Sequence, residues 1–551
     1  MKKVAKKLMS ITLAGVVSST VVFNIANAAG NEDVSLEPIP THQDDGTAKN
    51  VILLIGDGMG QNQVSAASYY QGDGFGTEDL VMDQFTDVGF ARTYSHDNTV
   101  TDSAAAATAF SSTHKTDNGV LGKAPENQVH SDDEEHFDVE TVLESAESND
   151  MATGLVSTAR ITHATPAAFA SHIGSRDEEN QIAEQMLLEH DIEVMLGGGK
   201  RHFLPKEEGG KREDKKNLID SAEEKGYEIV TNKSEMNKTE GGKLLGLFSN
   251  SHMTYELDRD MTEEPSLDEM TEKALGVLKD DKNGFFLMVE GGRIDHAGHA
   301  NYPATNIHET LAFDRAVEEA LQFAKEDGDT LVIVSADHET GGMSIGLDGQ
   351  YGFNKDVIRN VKRTPEYISS QFDSKYSNVE VIMAEYAGIN DLTEEEKELI
   401  TTNEDAAAVI AEIISDRSLI GWTTTGHTAV HVPVYSYGPM SNKLVGTIDN
   451  TKIAEVISKS TGNKLTSQSL IDAVDRLKEE GNIANDKVAR SLKLHLTAIS
   501  QYEEKGLGEK VIKHLNSFLE LLDHNKEKEL ITDEAHRVLK KDTENLMNRW
   551  Q

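Results

Sequence analysis

A serine at the start of an alanine-rich run is the first candidate for chemistry in this chain of 551 residues. The residue before it, Asp102, can cap a helix, which would place Ser103 in the first helical turn. Backbone N–H groups and the positive end of the helix dipole would then stabilise a bound anion, or an alkoxide on Ser103. An ordinary capped helix has the same pattern, because such caps are common. The serine is therefore informative only in combination with other reactive residues.

Carboxylates recur where predicted strands end. Short apolar runs at residues 51–55, 285–289 and 331–335 predict strands that are buried on both faces. Acidic residues follow these runs: Asp57, Glu290 and Asp337, with His338 directly after the last. Because ligands of open α/β sheets bind at the carboxyl ends of the strands, the pattern predicts a binding site there.

Further imidazoles lie close to these positions. Asp295 and His299 are four residues apart and would share one face of a helix, and His427 precedes a last predicted strand at 432–437. Carboxylates with imidazoles suit zinc, whereas carboxylates with a hydroxyl suit magnesium. A lone aspartate at a strand end is more often a turn or cap residue, so the prediction of metal sites depends on the whole set.

The elements that must position these residues alternate between strands and helices. We predict an α/β fold with a central, mostly parallel sheet flanked by helices. The stretch from about 205 to 280 is charged and predicted to be mostly helical, and residues 345–420 interrupt the alternation like an insertion. Within residues 463–551, apolar residues recur at helical spacing, which predicts a separate, small all-α bundle.

Composition and the first residues indicate where the protein acts. The net charge of −42 argues against a nucleic-acid-binding surface, and the absence of cysteine excludes disulfides. Residues 1–28 have the lysine-rich start, apolar middle and Ala-Asn-Ala end of a signal peptide, with cleavage expected after Ala28; an uncleaved membrane anchor is the alternative. Residues 29–48 are predicted to be a flexible acidic leader. We expect an exported chain with no stable membrane span after cleavage.

Six motifs follow one another along the chain: Ile-Gly-Asp-Gly-Met-Gly at Asp57, Val-Thr-Asp-Ser-Ala-Ala at Ser103, His-Ala-Thr-Pro-Ala at Thr165, Val-Glu-Gly-Gly-Arg-Ile-Asp-His-Ala-Gly-His from Val289, Ala-Asp-His-Glu at Asp337 and Gly-His-Thr at His427. In content and order they resemble the alkaline phosphatase family. The resemblance covers about residues 48 to 460, which implies a catalytic domain of that family at 49–462.

The resemblance also implies a role for each motif residue. The ligands of one zinc ion would be Asp295, His299 and His427. The ligands of a second zinc ion, beside the nucleophile Ser103, would be Asp57, Asp337 and His338. A magnesium ion would be bound by Thr165 and Glu290, with Asp57 bridging towards it. The substrate phosphate would be held by the planar donors of Arg176.

Two histidines depart from one version of the family pattern. His163 stands where some bacterial members have an aspartate near the magnesium, and His296 stands where some have a lysine near the phosphate. Both histidines occur in other branches of the family. His163 is therefore a candidate ligand and His296 a candidate phosphate contact, and the loss of a carboxylate at 163 leaves the identity of the third metal ion open.

Taken together, the resemblance implies a secreted, metal-dependent hydrolase of small phosphate monoesters with broad specificity, acting through a phosphoserine and as a homodimer. One alternative is a sulfatase or phosphodiesterase on the same scaffold. Typical sulfatases have a cysteine or serine followed by x-Pro-x-Arg, whereas alanines follow Ser103. Another alternative is a non-catalytic surface protein that binds phosphate or metal ions. For the module at 463–551, the hypothesis is attachment to the cell envelope or to a polymer.

Overall fold

The computed structural model describes residues 47–72, 80–125, 135–461, 467–479, 481–503, 505, 507–528 and 530–550. The predicted signal peptide, and the predicted leader as far as residue 46, lie outside these ranges. Among the helices of the described ranges, none combines the length and the apolar character needed to cross a membrane.

The strands of the described residues are β1 Asn50–Ile55, β2 Asp87–Arg92, β3 Lys123–Pro125, β4 His136–Asp138, β5 Ala152–Arg160, β6 Val194–Gly198, β7 Glu228–Val230, β8 Leu244–Leu247, β9 Phe285–Glu290, β10 Thr330–Ser335, β11 Glu339–Thr340, β12 Ser344–Ile345, β13 Ile420–Gly421, β14 His427–Thr428, β15 Val432–Tyr437 and β16 Gly446–Asp449. Ten of them form a central sheet in the order β16-β2-β15-β10-β1-β9-β5-β6-β8-β7. Within this sheet β15 pairs antiparallel with β10 and β2, and the other pairings are parallel. The predicted mostly parallel sheet is confirmed.

The register of the central strands brings the candidate ligands to one edge. Ile55, the last residue of β1, aligns with Ser335 on β10 and with Glu290 on β9. The residues that follow these strands, including Asp57 and Asp337, therefore emerge side by side. β1, β9 and β10 are completely buried, as their apolar runs predicted.

The helices of the described residues are α1 Gln61–Gln71, α2 Ser103–Ser112, α3 Val142–Ser148, α4 Ala164–Ala167, α5 Glu179–Leu188, α6 Leu218–Glu224, α7 Lys233–Met236, α8 Leu267–Leu278, α9 Arg293–His299, α10 Pro303–Asp327, α11 Lys355–Asn360, α12 Pro365–Ser370, α13 Val379–Ile382, α14 Glu394–Thr402, α15 Ala406–Ser418, α16 Thr451–Ser460, α17 Ser467–Glu479, α18 Asp486–Glu503, α19 Gly508–Glu527 and α20 Asp533–Trp550. Helices flank the sheet; α8 packs on β5, and α10 packs on β10. Apolar side chains of strands and helices form one large core.

Two smaller apolar cores lie outside the sheet. Residues 355–418 contain α11 to α15, whose buried isoleucines and valines pack together with part of α10. In the C-terminal region, α17 to α20 pack around leucines and isoleucines such as Leu492 and Leu515. The predicted C-terminal helical region is confirmed.

The stretch from 205 to 280 was predicted to be mostly helical, and that expectation is wrong in part. Besides α6, α7 and α8, it contributes β7 and β8 to the sheet. These strands have three and four residues, and β7 lies at the edge of the sheet, where polar side chains are tolerated. Such short runs inside a charged stretch carry little strand periodicity.

Candidate active site

Ser103 is the first residue of α2 and is only 2% exposed. Asp102 precedes the helix, and its Oδ1 accepts a hydrogen bond from the N–H of Ala105 at 3.0 Å. The helix cap expected from the sequence is therefore present. The first-turn N–H groups and the dipole of this ten-residue helix favour negative charge at the serine.

One cluster of metal-binding side chains lies next to the serine. Ligand atoms of Asp57, Asp337 and His338 lie within 4.8 Å of one another, and the three side chains are completely buried. His338 Nε2 lies 3.1 Å from Asp337 Oδ2 and 3.3 Å from Ser103 Oγ. The N–H of Gly58 donates to Asp337 Oδ1 at 3.0 Å. Gly58 has a φ of +72°, so this tight turn after β1 depends on glycine.

A second cluster joins α9 to β14. Asp295 and His299 lie one turn apart in α9, as their spacing predicted, with 3.3 Å between Oδ2 and Nε2. His427 Nε2 lies 3.6 Å from Asp295 Oδ1. The Nδ1 atoms of His299 and His427 lie 2.6 and 2.9 Å from the carbonyl oxygens of Thr425 and Thr101. These contacts place a proton on each Nδ1 and leave each Nε2 available to a metal ion.

A third cluster shares Asp57 with the first. Ligand atoms of Asp57, His163 and Glu290 lie within 4.8 Å of one another. Ser157 donates a hydrogen bond to Glu290 Oε2, and burial raises the pKa of Glu290 to about 7. Thr165, two residues after His163, lies buried in α4.

The hydrogen bonding of the buried oxygen atoms in these clusters indicates whether metal ions would fit there. Among the described residues, none donates a hydrogen bond to either carboxylate oxygen of Asp57, to Thr165 Oγ1 or to Glu290 Oε1. Burial and the negative charge of Asp337 raise the pKa of Asp57 well above its usual value. Unpaired buried carboxylates are costly, and bound cations would remove that cost. The donor sets of carboxylate oxygen and imidazole nitrogen fit zinc and magnesium.

Arg176 lies between the serine helix and the third cluster. One guanidinium nitrogen donates to Asp102 Oδ2 at 3.0 Å, and another lies 3.1 Å from His163 Nε2. Since a guanidinium only donates hydrogen bonds, His163 accepts through Nε2, and binding of a metal ion by His163 would break this contact. The predicted phosphate-binding arginine is thus anchored at the predicted nucleophile by a carboxylate.

His296 lies in α9 but belongs to a group of histidines beside the third cluster. Its ring lies 4.2 Å from the ring of His252 and 5.7 Å from that of His163. Its Nδ1 lies 2.9 Å from the carbonyl oxygen of Gly292, and burial lowers the pKa of His296 to about 3. Because the N–H of this neutral ring donates to Gly292, Nε2 is left as an acceptor, and His296 would need a second proton to donate a hydrogen bond to phosphate.

Sequence reasoning missed His252. This histidine follows β8 and contacts Arg160, and its buried Nδ1 has no hydrogen-bond partner in the part of the chain that the structure describes. The available signal was a mostly apolar run that ends at Phe248 and is followed by Ser-Asn-Ser before His252. A polar segment after an apolar run is the same strand-end pattern as at Asp57. That signal requires recognising β8 as a strand.

The family model for alkaline phosphatases matches residues 48–462. The chain belongs to the alkaline phosphatase family. A second family model, the FIMAH domain, matches residues 467–548. Alkaline phosphatase 3 of Bacillus subtilis is 40% identical over 478 residues, which cover 84% of this chain and 98% of that relative.

Solved alkaline phosphatases also share the fold. The cold-active enzyme of Shewanella sp. superposes with a TM-score of 0.67 at 34% identity, covering 75% of this chain and 99% of that one. A TAB5 alkaline phosphatase variant, in which a histidine is replaced by glutamate, has Mg bound in its M3 site; its TM-score is 0.56 at 31% identity, covering 76% of this chain and 98% of that one. Family, fold class and enzyme class are thus confirmed: as an alkaline phosphatase, the chain is a metal-dependent hydrolase of phosphate monoesters.

Proposed function

We propose that this alkaline phosphatase acts through a phosphoserine at Ser103. The observation that carries the proposal is the position of the serine: Ser103 Oγ lies 3.3 Å from His338 Nε2, at the N-terminus of α2 and beside a cluster of buried ligands. Arg176 reaches the same place, because Asp102 holds it and also caps the helix.

Two zinc ions and one magnesium ion are proposed as cofactors. The zinc ligands are Asp295, His299 and His427 for one ion, and Asp57, Asp337 and His338 for the other. The magnesium ligands are Asp57, Thr165 and Glu290, with His163 as an additional ligand. When bound, these ions would supply the positive charge that lowers the pKa of the serine hydroxyl and of the attacking water and offsets the charge of the leaving alkoxide. The TAB5 relative with Mg in its M3 site is a variant in which a histidine is replaced by glutamate, so it supports a magnesium site in this fold without testing one that includes a histidine.

The residues of the chain account for the remaining requirements of the reaction. Ser103 loses its hydroxyl proton to solvent, and its Oγ forms a bond to phosphorus as the bond from phosphorus to the alcohol oxygen breaks. The alkoxide departs on the side of Asp295, His299 and His427 and takes up a proton from water. Water then cleaves the phosphoserine and releases phosphate. In both steps Arg176 donates hydrogen bonds to the phosphate oxygens.

The remaining parts of the proposal rest on sequence pattern and family resemblance. They are export after cleavage behind Ala28, assembly as a homodimer, and the division into a catalytic domain at 49–462, with its insertion at 345–420, and an accessory module at 463–551. The separate apolar core of α17 to α20 and the FIMAH match support the module. Attachment of the module to the cell envelope or a polymer is tested by deleting residues 463–551 and measuring cell-surface retention.

The test of the reaction is hydrolysis of 4-nitrophenyl phosphate against pH, before and after chelation, with zinc and magnesium added back. We expect activity to rise at alkaline pH, to vanish on chelation and to return with zinc. A chelated sample that remains fully active would contradict the metal assignment. A folded, metal-loaded sample that cleaves sulfate esters or phosphodiesters in preference to monoesters would favour a sulfatase or phosphodiesterase. A sample that binds phosphate without hydrolysing any ester would favour the hypothesis of a non-catalytic surface protein.

A further inference from the structure

A cavity of about 570 Å³ lies next to His299. Its walls include Tyr302, Trp422 and one face of α15. Small-molecule sites commonly have volumes of about 300–1,000 Å³, so the cavity can accommodate the alcohol part of a small monoester. His299 is the proposed zinc ligand that lines the cavity, so the cavity adjoins the cluster on whose side the alcohol is proposed to depart.

The wall formed by α15 is acidic. Asp405, Glu412 and Asp416 are seven and four residues apart and line the cavity together. Among the described residues, no lysine, arginine or histidine forms an ion pair with Glu412 or Asp416. The neighbouring Arg417 binds Glu396 and Asp391 instead. The cavity therefore has three exposed carboxylates on one side, and two of them have no ion-pair partner among the described residues.

Two aromatic rings complete the walls. Tyr302 is 5% exposed, and burial, together with the negative charges of Glu366 and Asp405, raises the pKa of its hydroxyl group. Trp422 is half-buried, and its indole N–H donates to Ser415 Oγ at 3.1 Å, which fixes the ring. Aromatic rings combined with carboxylates are the setting in which proteins bind organic cations.

We propose that this cavity is a specificity subsite, which receives the alcohol part of the monoester and favours alcohols that carry a positive charge. Amino alcohols and quaternary ammonium alcohols are the matching class. This inference rests on the proposed function, since it places the leaving alcohol beside His299. It goes beyond that function by assigning a preference to an enzyme that otherwise needs to recognise only the phosphate.

The test uses two substrates of the same shape in the metal-loaded, full-length enzyme. Phosphocholine carries a quaternary nitrogen where 3,3-dimethylbutyl phosphate has a carbon, so their ratio of kcat/KM isolates the charge. We expect the wild-type enzyme to prefer phosphocholine by about tenfold. The double variant Glu412→Gln with Asp416→Asn should reduce the ratio to about twofold or less, with little change for the neutral ester.

A matched control separates the cavity from the general acidity of the chain. Glu395 and Glu398 are exposed on the neighbouring helix α14, so Glu395→Gln with Glu398→Gln removes the same charge outside the cavity. The control should keep the wild-type ratio. A third variant, Trp422→Leu, should lower the ratio by removing the aromatic wall.

The possible failures are distinguishable. A wild-type ratio near one, or a ratio that falls equally in the cavity variant and the control, would overturn the subsite while leaving the phosphatase mechanism intact. If neither of the two esters nor 4-nitrophenyl phosphate is hydrolysed by the folded, metal-loaded enzyme, the proposed function fails and the subsite fails with it.

Discussion

The carboxylate of Asp102 holds the guanidinium of Arg176 at 3.0 Å and at the same time caps the helix that begins at Ser103. Its two oxygens have different partners. Oδ1 accepts a hydrogen bond from the N–H of Ala105, and Oδ2 accepts hydrogen bonds from Arg176 and from the N–H of Gly119. One side chain thus fixes the proposed nucleophile and the proposed phosphate-binding group relative to each other.

Asp102→Ala and Asp102→Asn separate the cap from the ion pair. Removing a helix cap costs about 0.5–2 kcal/mol, whereas asparagine caps nearly as well as aspartate. We expect Asp102→Ala to lower the free energy of unfolding by about 1 kcal/mol and Asp102→Asn by less than half of that, measured by urea denaturation of the metal-loaded enzyme. Equal losses in the two variants would show that the contact with Arg176, and not the cap, is what stabilises the protein.

Arg176→Lys tests whether the guanidinium binds phosphate through two parallel hydrogen bonds. Lysine keeps the charge but loses the fork of donors, so we expect kcat/KM for 4-nitrophenyl phosphate to fall about 10–100-fold and inhibition by inorganic phosphate to weaken. The control is Arg315→Lys. Arg315 is an exposed residue of α10 that pairs with Glu256, so its substitution should leave both quantities unchanged. Full activity of Arg176→Lys would argue against a bidentate role.

Ser103→Ala should abolish turnover without preventing binding. Loss of a nucleophile typically lowers kcat by about 10⁴-fold or more. Metal content and inhibition by phosphate should stay near wild-type values, because the ligand clusters do not include the serine. Ser148→Ala, at an exposed serine in α3, is the matched control. If Ser103→Ala keeps substantial activity, the hydrolysis does not pass through this serine.

Removing the metal ions should make the free energy of unfolding decrease as pH rises. In the metal-free chain, burial raises the pKa of Glu290 to about 7 and that of Asp57 well above its usual value. Between about pH 4.5 and 7 the folded, metal-free state therefore binds more protons than the unfolded state, and its stability falls as pH rises. We expect the difference in Tm between metal-loaded and chelated samples to widen from pH 5 to pH 8, as measured by calorimetry. A constant difference would contradict a site whose carboxylates ionise for metal binding.

A second contribution to the pH dependence of stability comes from a histidine outside the proposed metal ligands. His172 Nε2 lies 2.8 Å from Glu144 Oε1, and despite burial this contact raises the pKa of His172 to about 9. A histidine with a raised pKa contributes its full stability below about pH 6.5, and the contribution disappears as pH rises through about 9. His172→Gln should therefore lower Tm clearly at pH 6 and hardly at pH 10. His431→Gln, at an exposed histidine, should change Tm at neither pH.

Local patterns account for the parts of the site that the sequence predicted. The cap at Asp102 and the shared face of Asp295 and His299 need only neighbouring residues. The strand-end carboxylates need only the rule that parallel strands present their carboxyl ends at one edge. The contact between Asp102 and Arg176 depends on how distant segments close on each other, which no local pattern encodes. His252 was missed for a different reason: it follows a strand of four residues, which is too short to be recognised from the sequence.

Asp57 and His427 come from opposite ends of the catalytic region, yet they belong to adjoining clusters of one site. A chain that ended before residue 420 would retain β1, β9 and β10 with their buried carboxylates, but it would lack His427 and the antiparallel strand β15. Such a product would hold Asp295 and His299 without the third ligand of their cluster, whereas the two clusters that share Asp57 would already have their ligands. Binding of the metal ion at Asp295 and His299 would thus be confined to chains whose synthesis has passed His427.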